Sequence, residues 1–276
     1  SKGPLLTSIT FGSFALPVSP IILLFSLMIG LLVVGILGRK QSIAVGDSLV
    51  SIVIYSMVVG RIVFVIKFFD SYDSLWQVLD IRDRGFDTVS SFIAGFLILL
   101  LQIHRHPQQR KILITGAAIT VLLFTSIQGI INAGNEQSAL PNLAFDTPQG
   151  ASVNLQHVSN QNITVINLWA SWCGPCRREM PVLYSAEQSF PNVKFIMLNQ
   201  REPADVVTEF LAEIDLHFNY VLLDSKGDIA TMMGAHGLPM TLFYDENGEM
   251  VSSHFGEVSA ASLQAELQNL TQNSTQ

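Results

Sequence analysis

The 276-residue sequence contains few charged residues and only two cysteines. Asp, Glu, Lys and Arg make up 13% of the chain, whereas an average soluble domain has roughly 25%. The two cysteines lie three positions apart, so several disulfides are excluded, and the folded chain must be held together by apolar cores. The second cysteine pair of a Cys₄ zinc site is also missing from the sequence.

The charged residues are distributed unevenly between the two halves of the chain. Residues 1–135 contain ten basic and six acidic residues, whereas residues 136–276 contain five basic and sixteen acidic residues, a net charge of −11. A domain this acidic repels phosphate groups, so nucleic-acid binding is not expected. The pattern predicts a membrane domain over 1–135 and a water-soluble domain over 136–276, with a polar linker at 132–140.

Four apolar stretches predict transmembrane helices, because each is long enough, or nearly so, to cross a hydrocarbon layer of ~30 Å. They run over about residues 18–37, 49–69, 89–103 and 112–131. A buried helical core is the alternative, but a soluble bundle carries more charge on its outer faces. A cleaved signal peptide fits the first stretch poorly, because Arg39 and Lys40 follow it where small residues belong.

The loops between these stretches predict the orientation of the chain. Arg39 and Lys40 lie in the first loop, and a second basic cluster lies at 104–111 in the third. The middle loop, residues 70–87, has five Asp against two Arg. Since positive loops remain in the cytoplasm, the middle loop and both termini are expected outside. We therefore expect a multi-pass protein in contact with the lipid bilayer, with a bacterial inner membrane as the expected location and the acidic domain on its periplasmic side.

Arg61 lies inside the second apolar stretch, where a charge is costly and commonly functional. The alternative is a structural partner, such as an Asp of the outer loop. The segments GRIVFVIKFF and RGFDTVSSFIAG resemble the front of prolipoprotein diacylglyceryl transferase, with Arg61 at the family's arginine and residues 85–95 at its next motif. The motif's histidine is absent, with Val89 or a neighbour in its place. The resemblance therefore implies a degenerate membrane domain that keeps a lipid-binding groove without the acyl transfer, which needs a histidine base.

The acidic half alternates between strand and helix patterns. Strands are predicted at 143–145, 153–155, 164–168, 193–198, 219–223, 240–244 and 250–255, and helices at 176–190, 203–214, 229–233 and 260–270. The first two strands form a hairpin around a five-residue turn. This order predicts an α/β domain with a central sheet covered on both faces.

Both cysteines lie where a predicted strand passes into a helix, in the segment TVINLWASWCGPC. At the start of a helix, unpaired N–H groups and the helix dipole favour a thiolate. We expect Cys173, at the exposed helix tip, to attack a disulfide and Cys176, one turn further in, to resolve the mixed disulfide. Half of a zinc site and a purely structural disulfide are the alternatives, but zinc needs more ligands and so small a loop adds little stability.

Residues 140–272 resemble the thioredoxin superfamily, and specifically its TlpA/ResA-type periplasmic reductases. The resemblance rests on WASWCGPC, on Pro181 within the next helix and on Gly-Leu-Pro at 237–239. It implies that Pro239 is cis and packs beside Cys173, and that the backbone of Leu238 pairs with an extended substrate.

The same resemblance assigns roles to further residues of the site. Asn167 takes the place of the buried Asp of cytoplasmic thioredoxins, and Glu179 is implied to be the proton acceptor for Cys176. The alternative for Glu179 is a solvated residue paired with Arg177 or Arg178. Further expectations concern Trp172, Gly174, Pro175 and Leu238 as substrate-binding residues, Trp169, Met232 and Met233 as packing residues, and His236 as a loop residue.

A disulfide reductase is the function that these patterns favour. Gly-Pro between the cysteines is the dipeptide of reducing thioredoxins, whose potentials lie near about −270 mV, against about −120 mV for strong oxidants. No cofactor or metal is expected. Because both cysteines belong to the site, a separate membrane reductant of the DsbD or CcdA kind is implied. Apocytochrome c, an oxidised chaperone and a metal-site protein are open as protein clients.

Three other functions remain open at the level of the sequence. One is an oxidase or isomerase of protein disulfides. Another is a lipid-binding or acyl-transfer membrane protein with a redox accessory domain. The third is a noncatalytic redox sensor that signals through the membrane half.

Overall fold

The computed structural model describes residues 8–11, 14–41, 45–72, 76, 78, 85–135, 139–235 and 237–273. Contacts divide the chain into two compact units. One unit, Val18–Ile130, is helical, and the other contains the α/β fold of the C-terminal half together with the N-terminal segment.

All four apolar stretches form long helices, as predicted. They are α1 (Val18–Gln41), α2 (Gly46–Lys67), α3 (Thr88–Arg105) and α4 (Arg110–Asn135), with 3₁₀ turns at Phe69–Ser71 and Pro107–Gln109. Within the described residues, the segments long and apolar enough to cross a membrane are Ile21–Arg39, Gly46–Lys67, Thr88–Arg105 and Pro107–Ile131. The third helix is longer than the predicted 89–103, because it begins one residue earlier, after the N-cap Asp87, and ends two residues later, at Arg105.

Helices α2 and α3 pack closely where Gly60 faces Ser91. A Cβ atom at Gly60 would overlap the Ser91 hydroxyl, so a larger residue would force the helices apart. Asp87 begins α3 by accepting a hydrogen bond from Ser90 N at 2.8 Å, and it also pairs with Lys67. The hydrogen bonds from Lys67 and then Ser90 lower the pKa of Asp87 to about 2. Lys67 therefore has a protein partner at the end of α2.

Two short strands precede α1 and were not predicted from the sequence. Strands β1 (Ser8–Phe11) and β2 (Phe14–Pro17) pair antiparallel, with Phe11 opposite Phe14. Four-residue strands carry too little period-two alternation to stand out beside a long apolar helix.

The α/β fold follows the predicted order of elements. Its strands are β3 (Ala144–Asp146), β4 (Ser152–Asn154), β5 (Thr164–Trp169), β6 (Lys194–Gln200), β7 (Val221–Asp224), β8 (Met240–Tyr244) and β9 (Met250–Phe255). Its helices are α5 (Leu155–Ser159), α6 (Gly174–Ser189), α7 (Ala204–Ile214), α8 (Asp228–Met232) and α9 (Ala260–Asn273).

The seven strands form one sheet in the order β4-β3-β7-β6-β5-β8-β9. Strands β5, β6 and β7 are parallel to one another. On one side β3 pairs antiparallel with β7 and β4 with β3, and on the other side β8 pairs antiparallel with β5 and β9 with β8. The central strand β5 is buried along its whole length. Val165 and Trp169 belong to a core with α6, α7 and α9, whereas Ile166 and Leu168 belong to a second core with α5 and α8. The sheet is therefore covered on both faces, as predicted.

Two local predictions were wrong. Residue 155, predicted to end a strand, instead begins α5, because Asn154 caps that helix by accepting a hydrogen bond from Gln156 N at 2.9 Å. The predicted linker at 132–140 is shorter, because α4 continues to Asn135 and Ala139 forms a β-bridge with Glu249. Residues 136–138 of that linker lie outside the described residues.

Candidate active site

The site is built where β5 leaves the sheet and α6 begins. The chain turns over Ala170–Cys173, with Cys173 N donating to Ala170 O at 3.1 Å. Cys173 then serves as the N-cap of α6, and its Sγ accepts a hydrogen bond from Cys176 N at 3.3 Å. Cys173 Sγ thus lies at the end of the helix where N–H groups stabilise negative charge, as the sequence predicts.

Cys173 and Cys176 form a disulfide with an S–S distance of 2.04 Å. Cys176 is fully buried and Cys173 is 5% exposed, so the predicted order of exposure holds. The prediction of an openly exposed tip was wrong, because Cys173 packs in the same core as Met180 and Leu183. Two cysteines paired in this way can alternate between a disulfide and a dithiol, and Cys173 is the more exposed of the two.

The residues around the cysteines leave one side of the site open. Trp172 is 72% exposed, as predicted, and Gly174 is also exposed. Pro175 occupies the first turn of α6, where a missing N–H costs nothing because that group has no partner within the helix. These residues form an apolar surface beside Cys173.

The second loop of the site contains the predicted cis peptide bond, Leu238–Pro239. Met240, the first residue of β8, is paired with Leu168 near the end of β5, so this loop lies at the same edge of the sheet as the cysteines. Pro239 O accepts a hydrogen bond from Gly256 N at 2.9 Å, and Leu238 packs against both cores. His236 lies outside the described residues.

Glu179 is buried in the protein, with 1% of its surface exposed. The solvated alternative for Glu179 is therefore wrong. The two arginines that it would have paired with bind other carboxylates, Arg178 with Glu257 and Arg177 with Glu213. Glu179 lies three positions after Cys176 on α6, so both residues are on one face of the helix.

The carboxylate of Glu179 accepts one hydrogen bond at each oxygen. Asn167 Nδ2 donates to Oε1 at 2.8 Å, and Val258 N donates to Oε2 at 2.9 Å. Asn167 Nδ2 also approaches Thr241 Oγ1 at 3.1 Å, which joins α6 to β5 and β8. Burial raises the pKa of Glu179 to about 8, although the two hydrogen bonds oppose the shift. The raised pKa favours the protonated form of Glu179 at neutral pH.

A second buried carboxylate, Glu202, was missed by the sequence reasoning. Glu202 is 8% exposed and follows the end of β6. Its Oε2 accepts hydrogen bonds from Ser171 N at 2.7 Å and from Asn199 Nδ2 at 2.6 Å, and its Oε1 accepts one from Ser171 Oγ at 2.5 Å. It thereby contacts the turn that precedes Cys173. The signal in the sequence was indirect. Glu202 follows β6 and Ser171 follows β5, and neighbouring parallel strands end at the same edge of a sheet.

The three predicted packing residues differ in burial. Trp169 is fully buried and its ring lies 5.4 Å from that of Phe210. Met233 is also buried, but Met232 is 51% exposed and therefore is not a core residue. In the part of the chain that the structure describes, no group of three or more His, Cys, Asp or Glu side chains is placed to hold a metal ion.

Arg61 of the helical unit binds backbone carbonyl groups. Its Nη1 donates to Gly85 O at 2.8 Å, and its Nε and Nη2 donate to Val78 O at 3.2 and 2.9 Å. The guanidinium also lies 5.7 Å from the ring of Tyr72 and 6.0 Å from that of Phe86. These contacts favour the structural alternative for Arg61, with carbonyl oxygens among its partners.

Comparison with known proteins places relatives of the C-terminal half among thiol–disulfide oxidoreductases. Residues 137–253 match the AhpC/TSA family. Sporulation thiol-disulfide oxidoreductase A of Bacillus subtilis is 26% identical over 159 residues, which cover 55% of this chain and 94% of the relative. Thiol-disulfide oxidoreductase ResA of Bacillus cereus is 26% identical over 153 residues, covering 54% and 87%. The crystal structure of StoA from Bacillus subtilis matches with 25% identity and a TM-score of 0.40, covering 48% of this chain and 99% of that one.

The family match lies within the half that carries the cysteine pair, and the resemblance of the first half to prolipoprotein diacylglyceryl transferase stays a prediction. The sheet, the cysteines at the start of α6 and the named relatives agree on one chemistry. The C-terminal half is therefore a thioredoxin-like domain that matches the AhpC/TSA family, and the protein is a thiol–disulfide oxidoreductase.

Proposed function

We propose that this protein is a membrane-anchored, extracytoplasmic reductase of protein disulfides. The observation that carries the proposal is the Cys173–Cys176 pair at the N-terminus of α6, with Gly174 and Pro175 between the cysteines. Gly-Pro is the dipeptide of reducing thioredoxins, whose potentials are near about −270 mV.

The proposed reaction begins with the reduced pair. The Cys173 thiolate attacks one sulfur of a client disulfide, forms a mixed disulfide and releases a client thiolate, which takes up a proton. Cys176 then loses its proton and attacks Cys173 Sγ, which releases the second client thiolate and forms the Cys173–Cys176 disulfide. Two electrons pass from the dithiol to the client, and no other oxidant or reductant takes part.

Glu179 is the proposed acceptor of the Cys176 proton. It is buried on the same face of α6 as Cys176, and burial raises its pKa to about 8. A carboxyl group with such a pKa exchanges protons readily with a thiol, whose ordinary pKa is about 8.5. The hydrogen bonds from Asn167 and Val258 fix its orientation.

The anchor in this proposal consists of the four apolar helices, with a membrane domain over 1–135 and an extracytoplasmic domain over 136–276. The length and composition of the helices support it, as does the basic character of the first and third loops. Both cysteines are used in the site, so rereduction requires a separate membrane reductant, of the DsbD or CcdA kind.

The reduction potential of the full chain tests the direction of electron flow. Purified protein is equilibrated with redox buffers of defined potential, and the fraction of Cys173–Cys176 disulfide is measured by alkylation and mass spectrometry. We expect a potential near about −270 mV. A value near about −120 mV assigns an oxidase instead and overturns the proposed direction.

A further inference from the structure

The turn that presents Cys173 is bound from the side by Glu202. This carboxylate accepts hydrogen bonds from the backbone N–H of Ser171 at 2.7 Å and from its hydroxyl at 2.5 Å. Ser171 is the second residue of the Ala170–Cys173 turn, which is closed by the 3.1 Å hydrogen bond from Cys173 N to Ala170 O. The buried side chain of Glu202, 29 positions from Cys173 in sequence, therefore restrains the residues immediately before Cys173.

We propose that Glu202 is a positioning residue of the thiol site, which holds Cys173 Sγ at the N-terminus of α6 by fixing the Ala170–Cys173 turn. The inference rests on the proposed function of the cysteine pair and extends it to a residue outside the CGPC segment. Glu202 acts through its hydrogen bonds to Ser171 and does not touch the reacting sulfurs itself.

The loop that carries Glu202 is itself constrained. Arg201 has a φ of 61°, a left-handed conformation that is unfavourable for a residue with a Cβ atom. Its N–H donates to Asp224 O at 3.0 Å, and its guanidinium packs so closely on Gly227 that a Cβ there would overlap it. Asn199 Nδ2 holds the Glu202 carboxylate from β6 at 2.6 Å. The carboxylate is thus preorganised to receive Ser171.

The position of the turn matters for Cys173 because the stabilisation of a thiolate by a helix end falls off within the first turn. Cys173 Sγ now lies 3.3 Å from Cys176 N. If the turn relaxes, the sulfur moves away from these N–H groups and its thiolate is less favoured. The same relaxation would change the orientation of the exposed side chain of Trp172.

Two neutral variants separate hydrogen bonding from charge. In Glu202→Gln, the amide oxygen can take the place of Oε2, and the NH₂ group can donate to the Ser171 hydroxyl, which accepts as well as donates. All three contacts are then retained without the negative charge. Glu202→Ala removes the charge and the contacts together. A difference between these two variants therefore reports the positioning alone.

The test uses the reduced full chain and measures the rate at which iodoacetamide alkylates Cys173 as a function of pH, with mass spectrometry identifying the peptide. We expect the pKa of Cys173 to be roughly half a unit higher in Glu202→Ala than in Glu202→Gln, and alkylation at pH 7 to be about threefold slower. Equal pH profiles for the two variants would overturn the proposal. The matched control is Glu246→Ala, at an exposed position on the β8–β9 turn, which leaves the profile unchanged.

If Glu202→Ala does not fold, as judged by circular dichroism, Ser171→Ala replaces it. That change removes one of the three hydrogen bonds and is expected to slow alkylation about twofold, and an unchanged rate overturns the proposal. Because alkylation needs no client, the result is separable from the proposed function. Failure to reduce protein disulfides would overturn the function and leave this comparison intact.

Discussion

The buried carboxyl group of Glu179 is subject to two opposing effects on its pKa. Burial disfavours the charged form, whereas the hydrogen bonds from Asn167 and Val258 favour it. Burial prevails and raises the pKa to about 8. The folded protein therefore binds a proton that an unfolded chain would release above about pH 4.3, so stability falls as pH rises from there to about pH 8.

We predict that Glu179→Gln removes a pH dependence from the resolving step. In the wild-type protein the rate at which Cys176 resolves a mixed disulfide should rise through about pH 8, as the carboxylate that accepts its proton forms. In the variant this inflection should be absent. Stopped-flow kinetics of the full chain with a disulfide substrate measures it.

Glu187→Gln is the matched control for this experiment. Glu187 is also buried on α6, and burial raises its pKa. It lies eleven positions beyond Cys176, however, and accepts a hydrogen bond from Asn219 N at 3.2 Å. Its replacement should leave the inflection in place. An unaltered pH profile in Glu179→Gln would show that Glu179 does not exchange the proton.

The two cysteines are predicted to fail differently when replaced. Cys176→Ser should accumulate mixed disulfides, because the fully buried residue that resolves them is gone. Cys173→Ser should accumulate none, because the remaining thiol is shielded. Mass spectrometry of complexes isolated from cells measures both outcomes and identifies the client. The opposite pattern would reverse the assigned roles. If neither variant traps a complex, the result would argue against a protein client.

At the scale of the elements, the α/β half was predictable from local patterns. Turn residues bounded apolar runs of the right length, so the strands β5, β8 and β9 were placed within one residue at either end. The cysteine spacing and the cis-proline loop are also local signals. The short helix α5 was missed because its cap, Asn154, ends what otherwise looks like a strand.

Contacts between distant elements could not be predicted in the same way. Glu179 accepts a hydrogen bond from Val258 and Glu202 accepts one from Ser171, and in each pair the fold brings together residues that are far apart in sequence. A polar helix residue beside two arginines looks solvated when only its neighbours in sequence are considered. The pKa of such a group is set by the packing of the whole domain, which sequence spacing does not encode.

At the scale of the whole molecule, we predict the orientation of the chain. An alkaline phosphatase fusion after Asn135 should be active, because the positive-inside rule places the end of α4 outside the cytoplasm. A fusion after Arg105, beside the basic third loop, should be inactive and serves as the internal control. The reverse pattern would place the thiol site in the cytoplasm and remove the basis for an extracytoplasmic reductase.

The hydrogen bond from Val258 N to Glu179 Oε2 at 2.9 Å has a spectroscopic consequence. The resonance of an amide proton depends on the charge of the atom that accepts it. The Val258 amide, 79 positions from Glu179 in sequence, therefore displays the protonation state of the buried carboxyl group on the backbone. Selective ¹⁵N labelling of valine makes that proton visible to NMR, in the oxidised and the reduced protein alike, without any label on the cysteines.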